Sequence, residues 1–482
     1  MYADTFTLAS PRWHIGPKEQ RPSSAWAIEA ATARALTEGG DSRLLLDASG
    51  VNRYGCSPRP DPLLVGFASS TASVISAAGF GAAVELHARL RANPQSSVQE
   101  VQRLRAEVAR RSGCPNLPAS CIILAASGTD LHQVATDVVH SAHSLPLTVV
   151  MSDSAETGSG VAASIDQRGH ALRTVALREA QGQVRGGEQI DADYVEAVRQ
   201  SLAQAGHCLL VVTDVSKTGL LAPSLACAQE LQQTYGERIS VMVDACQYRL
   251  APATVAAYVD QGFLVALTGS KFMTGPAFCG ALLLPAAYAN ARRPLDTLPK
   301  SHWGLLLRWE AALTEIRRFR QIPEGYVKRF LHAWGGVVIC RLSQDEHFEP
   351  LDVPRLNRAP LLDGSAWDLE QTIFPFGLFK KLAHGQRRRL SAAETRWVHQ
   401  QMADIDESYT WVSATQNAFN TRYHLGQPVY GEDAGSTLPS ALRLCMSARW
   451  VANSATAGHD PDVAKTHAML ALDKLAWLCD RV

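Results

Sequence analysis

The segment Thr268-Gly269-Ser270-Lys271-Phe272-Met273-Thr274-Gly275-Pro276 begins where an apolar run at residues 263–268 ends, and it places a lysine just after a predicted strand. A lysine at the end of a buried strand is unusual, because desolvation disfavours its ammonium form. The same desolvation makes Lys271 a usable amine nucleophile. For this stretch alone, a lysine whose ammonium reaches the surface is an equally good interpretation.

The apolar run before Lys271 belongs to a series of similar runs. They occupy residues 121–125, 147–151, 172–177, 208–213, 239–244 and 263–268, and amphipathic stretches such as 191–204 and 224–235 separate them. Strands that are apolar on both faces and alternate with helices indicate a mostly parallel sheet covered on both sides. The predicted fold class is therefore α/β.

Ligands of such sheets bind beyond the carboxyl ends of the strands, so the polar residues at these ends are candidate site residues. Asp244-Ala245-Cys246-Gln247 places a carboxylate at the end of an apolar strand. Burying that carboxylate requires a cation or a strong donor, and a ring N–H would serve. The alternative is a helix N-cap, for which Asp is common. Gln247 could donate to a second atom of the same ligand.

Two further strand ends carry small and hydroxyl residues. Ser127-Gly128-Thr129-Asp130 opens a helix and offers the backbone N–H groups that a phosphate needs, although an ordinary capped turn explains it as well. In residues 213–219, Ser216 could let the backbone approach the edge of a ring, and a plain surface turn is the alternative. Lys217 in this segment is the rival of Lys271 as an imine-forming lysine.

Together these segments resemble the fold-type I pyridoxal-phosphate enzymes, specifically the class V aminotransferase group with its cysteine desulfurases, kynureninases and phosphonate transaminases. Residues 244–247 match the D-A-x-Q motif of that group, and residues 268–282 match its S-x-[HS]-K…G-P…G-A-L segment. The resemblance implies an aspartate-aminotransferase-like fold with pyridoxal 5'-phosphate as cofactor, a large domain with a mostly parallel sheet and a smaller C-terminal α+β domain.

The resemblance also implies a role for each candidate residue. Lys271 would form the Schiff base and move the Cα proton, Asp244 would keep the pyridine nitrogen protonated, and Gln247 would bind the phenolic oxygen. The phosphate would be held by Gly128, Thr129, Thr268 and Ser270. Arg443, in the segment Ser440-Ala441-Leu442-Arg443, would grip the substrate carboxylate, unless it is a surface arginine on a strand.

The sequence departs from the group at two places. Cysteine desulfurases carry a nucleophilic Cys on a loop before the arginine, whereas residues 410–440 contain none, which disfavours desulfurase activity. The group's E-H-x-S segment, whose His covers the ring, is replaced by Glu156-Thr157-Gly158-Ser159-Gly160. We therefore expect an aminotransferase acting on an amino acid or related amine. A pyridoxal-phosphate-dependent lyase is the alternative, and a non-catalytic relative is less favoured.

The bulk composition excludes other classes of function. Lys plus Arg equal Asp plus Glu at 46 each, so no overall field would recruit nucleic acid or an anionic membrane. No apolar run reaches the roughly 20 residues of a membrane span, and no secretory leader or metal-binding pattern is recognisable. We expect a cytoplasmic protein with reduced cysteines. The resemblance implies a homodimer, with apolar and aromatic residues such as Trp303, Leu305, Leu306 and Trp309 as indirect support.

The pattern along the chain predicts an N-terminal arm at residues 1–62, a large cofactor-binding domain at 63–295, a connecting helix at 296–319 and a small domain at 320–482. Within the small domain, residues 335–342, 410–413 and 441–447 are expected to form strands. A helix is expected to start at a capping box of Ser97 and Glu100.

Overall fold

The computed structural model describes residues 24–158, 160–167, 169–203, 206–291, 303–362, 364–405, 420–431, 436–457 and 461–482. The described helices are, in chain order, α1 Ser24–Ala35, α2 Ala77–Ala92, α3 Ser97–Arg111, α4 Gly128–His143, α5 Val161–Asp166, α6 Gly187–Ala203, α7 Leu225–Tyr235, α8 Pro252–Asp260, α9 Gly304–Phe319, α10 Glu324–Gln344, α11 Ala392–Gln401, α12 Ala448–Thr456 and α13 Asp462–Cys479. The described strands are β1 Leu64–Phe67, β2 Ile122–Ala125, β3 Leu147–Ser152, β4 Ala171–Val175, β5 His207–Asp214, β6 Leu221–Ala222, β7 Ile239–Ala245, β8 Leu264–Thr268, β9 Gly280–Leu283, β10 Phe348–Pro350, β11 Ile373–Lys381, β12 Arg387–Arg389, β13 Arg422–Leu425 and β14 Leu442–Cys445.

The central sheet has the order β2-β9-β8-β7-β5-β3-β4 among the described residues, with β6 paired to β5. Strands β4, β3, β5, β7 and β8 run parallel, and β9 is antiparallel to both β8 and β2. The prediction of an α/β fold with a mostly parallel sheet is confirmed. The carboxyl ends of the parallel strands meet at one edge, and this edge carries the candidate site.

Two apolar layers explain why these strands lie in the middle of the molecule. Leu209 and Val211 of β5 face one core, which α4 covers with residues such as Leu131. Leu210 and Val212, which alternate with them, face the other core together with α6 and α7. A strand buried on both faces has an unbroken apolar sequence, and this is the pattern that predicted the sheet.

The C-terminal part of the chain forms a second, smaller sheet. Strands β10, β12 and β14 all pair antiparallel with β11, and β1 from near the amino terminus pairs parallel with β13. The buried Arg358 guanidinium joins this part to the end of β5 through two 2.7 Å hydrogen bonds to the Asp214 carboxylate. The predicted domain boundaries stay a prediction.

Two local predictions were wrong. Residues 335–342 belong to α10, because Trp334, Val338 and Leu342 recur at helical spacing and pack into the core, which outweighs the β-branched sequence between them. The capping box at Ser97 does not form: Ser96 is the N-cap residue, and Glu100 instead pairs with Arg89 and Arg103. Residues 410–413 lie outside the described residues. No described helix has the length and apolar character that crossing a bilayer requires.

Candidate active site

A cavity of about 540 Å³ lies at the carboxyl ends of the parallel strands, within the range of roughly 300–1,000 Å³ that is usual for small-molecule sites. Every residue that the sequence analysis placed in the site lines this cavity. They are Gly128, Thr129, Ser216, Asp244, Gln247, Thr268, Ser270, Lys271 and Arg443. The structure therefore brings together segments that are more than 300 positions apart in the chain; the roles of these residues stay predictions.

The side of the cavity formed by the strand ends, here called the sheet wall, comprises Gly128, Thr129, His132, Asp244, Gln247, Thr268, Ser270 and Lys271. At its centre the Asp244 carboxylate lies at the end of β7, with its Oδ2 atom 3.3 Å from Nε2 of the buried His132. Burial alone would raise the pKa of Asp244, but the charge of His132 outweighs it and holds this pKa well below its usual value. The site thus presents a carboxylate that stays ionised.

His132 was not singled out from the sequence. Its ring is buried on the second turn of α4, and its Nδ1 lies 2.8 Å from the Gly128 carbonyl oxygen, which fixes the direction of Nε2 toward Asp244. Burial opposes the imidazolium, but the Asp244 carboxylate outweighs burial, so the pKa of His132 is raised. The one sequence feature that could have pointed to His132 is its position one helical turn after Gly128, which places it near the predicted phosphate site.

The start of α4 forms the part of the sheet wall suited to an anion. Ser127 caps the helix by accepting from the Asp130 N–H, and Asp130 closes the capping box. The N–H groups of Gly128 and Thr129 have no acceptor within the helix, as at every helix start, so they are left for a ligand. A Cβ at Gly128 would lie 3.1 Å from Cys246 Sγ, so the close approach of these two segments favours glycine.

Lys271 follows β8, as the sequence indicated. Nearby, Thr268 Oγ1 donates to the Cys246 carbonyl oxygen at 2.6 Å, which locks the end of β8 onto the turn after β7. Within the described residues no hydrogen bond or salt bridge holds the Lys271 ammonium. Gln247 Nε2 donates to the Ser70 carbonyl oxygen at 3.1 Å, while its buried Oε1 has no partner. The sheet wall therefore carries a lysine side chain and an amide oxygen that no described residue engages.

The opposite side of the cavity, here called the outer wall, comprises Arg53, Thr71, Lys217, Gln427 and Arg443. Arg443 on β14 is buried, so it is not the surface arginine that was the alternative. Its guanidinium donates to the carbonyl oxygens of Lys217 and Gln427, at 3.1 and 2.7 Å, and to Thr71 Oγ1 at 3.0 Å. All three partners are neutral, and burial lowers the pKa of Arg443.

Gly426 makes this arrangement possible. A Cβ at residue 426 would lie 2.9 Å from Thr71 Oγ1 and 3.0 Å from Arg443 Nη2. Contacts that short require a side chain to shift, so any larger residue would push Arg443 away from Thr71. The hydrogen bond between Arg443 and Thr71 on the outer wall thus depends on glycine at position 426.

Glu156 lines the cavity next to the outer wall and belongs to a buried polar cluster. Its Oε1 accepts from Arg178 Nε at 2.9 Å and from the Tyr430 hydroxyl, and its Oε2 accepts from Ser216 and Thr218 at 2.6 Å each. The carboxylate is therefore fully bonded. The Ser216 hydroxyl also accepts from the N–H groups of Thr218 and Leu220, so it serves the turn in which it lies as well as lining the cavity.

Comparisons with known proteins agree with this fold. A scan against protein-family models found no match, and a search of curated proteins found none. The cysteine desulfurase CsdA of Escherichia coli, in its S-sulfonic acid form, is structurally similar with a TM-score of 0.51 and 13% identity, over 86% of this chain and 95% of its own. A NifS-like protein is similar with a TM-score of 0.50 and 11% identity, over 85% of this chain and 100% of its own. The likeness confirms the predicted aspartate-aminotransferase-like fold.

Proposed function

We propose that this chain is a pyridoxal-phosphate-dependent enzyme that acts on an amino acid or related amine, and that its reaction is aminotransfer. The observation that supports this most strongly is the sheet wall. It places an unpaired lysine amine, an ionised carboxylate backed by a buried histidine and an open helix start around one cavity.

The residues of the sheet wall fit pyridoxal phosphate in their donor chemistry. The N–H groups of Gly128 and Thr129, with the hydroxyls of Thr268 and Ser270, would hold its phosphate. Asp244, ionised because His132 faces it, would hold the proton of the ring nitrogen. Gln247 has polar capacity left for the ring oxygen, because its buried Oε1 is unpartnered and one amide hydrogen remains.

When bound, this cofactor supplies an electron sink for a carbanion next to an amine. The residues of the chain would attach the cofactor, transfer the proton and bind the substrate carboxylate. Lys271 would attach the cofactor through its amine and then, displaced by the substrate amine, would take the Cα proton. Arg443 would hold the substrate carboxylate, since its buried guanidinium has only neutral partners.

Two features favour aminotransfer over elimination or desulfuration. Among the described residues, the cysteines that line the cavity are Cys246 and Cys279, and burial raises the pKa of both, that of Cys279 to about 12. Both are therefore protonated and poor nucleophiles at neutral pH. The Glu156 carboxylate is fully bonded and so is not free to protonate a leaving group. The described residues therefore offer neither a thiolate nor a carboxylic acid for those reactions.

Reduction and peptide mapping test the attachment. The protein is mixed with pyridoxal phosphate in a buffer free of phosphate and amines, reduced with borohydride, digested and analysed by mass spectrometry. We expect the cofactor mass on the peptide that contains Lys271. A label on Lys217, or a protein that takes up no cofactor, would show that the proposal is wrong.

A single turnover with a panel of amino acids tests the reaction. We expect the amine form of the cofactor to accumulate together with one equivalent of keto acid. Release of a fragment of the substrate side chain, with the starting absorbance restored, would instead assign lyase chemistry to the same site.

A further inference from the structure

The described lining of the cavity carries more positive charge than the proposed reaction requires. Among the described residues, the charged lining consists of Arg43, Arg53, Lys217, Lys271, Arg443, Glu156 and the pair of His132 with Asp244. Two of these charges are neutralised from outside the cavity, since Arg43 pairs with Asp41 at 2.6 Å and Glu156 with Arg178 at 2.9 Å. Lys271 and Asp244 are assigned to the cofactor. The cations that remain are Arg443, Lys217 and Arg53, and all three belong to the outer wall.

Hydrogen bonds to backbone oxygens join the three chain segments that carry these cations. Arg443 Nη1 donates to the carbonyl oxygen of Lys217 itself, and Arg443 Nη2 donates to that of Gln427. Gln427 Nε2 in turn donates to the carbonyl oxygen of Arg53 at 2.6 Å. The segments come from different parts of the chain, so their meeting at the outer wall is a property of the fold.

Among the residues that the structure describes, none forms a salt bridge with the Lys217 ammonium. Its hydrogen bond goes to the neutral Ser154 carbonyl oxygen at 3.1 Å. The charged groups that face it are Glu156, Arg443, Asp153 and Lys271. Glu156 already accepts from four donors, and Asp153 lies beyond salt-bridge distance. Arg53 is exposed at the rim of the cavity. The anion near it is Asp41, which is already paired with Arg43.

Lys217 and Arg443 carry like charges that repel one another, and an anionic ligand relieves that repulsion. One substrate carboxylate on Arg443 leaves Lys217 and Arg53 without an anion. Resting on the proposed function, we propose that the site selects amino acids with an acidic side chain, the α-carboxylate on Arg443 and the distal carboxylate on Lys217 and Arg53. The residues that select an acidic side chain would then all come from the outer wall of one chain.

The test uses acids that lack an amine, so that binding is measured without catalysis. The protein is loaded with pyridoxal phosphate, freed of excess phosphate and titrated by calorimetry with glutarate, and separately with pentanoate, which has the same chain length and one carboxylate. We expect glutarate to bind at least about tenfold tighter, as hydrogen bonds to a charged group contribute. In Lys217→Gln the ratio of the two affinities should fall toward one, whereas Lys217→Arg should keep it.

Lys328→Gln is the matched control, because Lys328 lies outside the cavity and donates to the Ser365 carbonyl oxygen. The ratio of glutarate to pentanoate affinity in this variant should equal the ratio in the unsubstituted protein. A loaded protein that binds both acids equally overturns this inference and leaves the proposed function standing. Loss of glutarate binding on adding equimolar inorganic phosphate, with pentanoate unaffected, also overturns it, because the outer wall would then be a phosphate site. Failure to load cofactor on Lys271 is a failure of the proposed function itself.

Discussion

The two walls of the cavity are built in different ways. The sheet wall consists of residues at strand ends and one helix start, and its contacts join neighbouring elements, as between Thr268 and Cys246. The outer wall depends on contacts between distant parts of the chain, such as Arg443 with Thr71 and Gln427 with Arg53. The pattern of apolar runs marks the first kind of wall, whereas the contacts that assemble the second are seen only in the folded chain.

The walls also differ in how their charges are balanced. On the sheet wall, Asp244 faces a histidine whose pKa it raises, so the carboxylate has a partner before any ligand binds. On the outer wall, the hydrogen-bond partners of Arg443 and Lys217 within the described part of the chain are all neutral. We infer that the sheet wall is preorganised, whereas the outer wall is completed by its ligand.

The largest expected effect separates the two lysines of the cavity. Lys271→Ala should lower turnover by roughly 10⁴-fold or more, as loss of a covalent catalytic group does. It should also abolish the borohydride-stable label, because the second lysine that lines the cavity, Lys217, lies on the outer wall and not on the sheet wall. The measurement is single-turnover kinetics with the label mapped by mass spectrometry, and Lys381→Met, on the surface, is the control. An active Lys271→Ala protein labelled at Lys217 would reverse the assignment of the two lysines.

The second prediction concerns the support of the outer wall. Glu156→Ala leaves the Arg178 guanidinium buried without an anion, and breaking a buried pair in this way destabilises a protein by about 3 to 5 kcal/mol. We expect a clear fall in the thermal unfolding midpoint. Glu196→Ala, which removes an exposed pair with Arg199, should leave the midpoint nearly unchanged. Equal midpoints for the two variants would show that the Glu156 cluster does not support the fold.

The sequence was sufficient for the fold class and for the sheet wall without His132, for one physical reason. Buried parallel strands require continuous apolar runs, and the fold brings the residues at the end of each run to one edge. Asp244 ends such a run, and Gln247 and Lys271 each come three residues after one, so their meeting in one cavity was predictable. Arg443 was found only through its resemblance to a family motif, because nothing in its own strand shows which residues face it.

Long-range packing decided the features that the sequence did not reveal. Arg53 is bonded to Gln427 and Glu156 to Tyr430, and in both cases the two residues are more than 250 positions apart in the chain. The residues of α9 that were to support a homodimer, Leu305, Leu306 and Trp309, are buried in the chain's own core against α2 and α3. They therefore give no argument for a second subunit. The homodimer stays a prediction, which sedimentation at micromolar concentration would test.

The third prediction examines the preorganised pair of the sheet wall. Asp244→Asn should still bind the cofactor but lose about 10²-fold in turnover, because it removes one fixed charge that stabilises the reacting state. In His132→Asn the Asp244 pKa should rise, since the charge that lowers it is gone, and the acid limb of the rate profile should move to higher pH. The exposed Asp166→Asn serves as the control. Full turnover by Asp244→Asn would leave Asp244 with a merely structural role.

The smallest expected effect is a pH dependence confined to the outer wall. Burial lowers the pKa of Lys217 to about 8. The positive charge of Arg443 lowers this pKa further, whereas the negative charge of Glu156 opposes the shift. Below that pH the ammonium attracts a second carboxylate, and above it the neutral amine does not. Glutarate affinity should therefore fall severalfold as pH rises from 7 to 9, whereas pentanoate affinity should change little. Lys217→Arg should remove this step and retain glutarate binding, because an arginine stays charged throughout the range. A step that persists in Lys217→Arg would place the titrating group on the sheet wall and erase the proposed difference between the two walls.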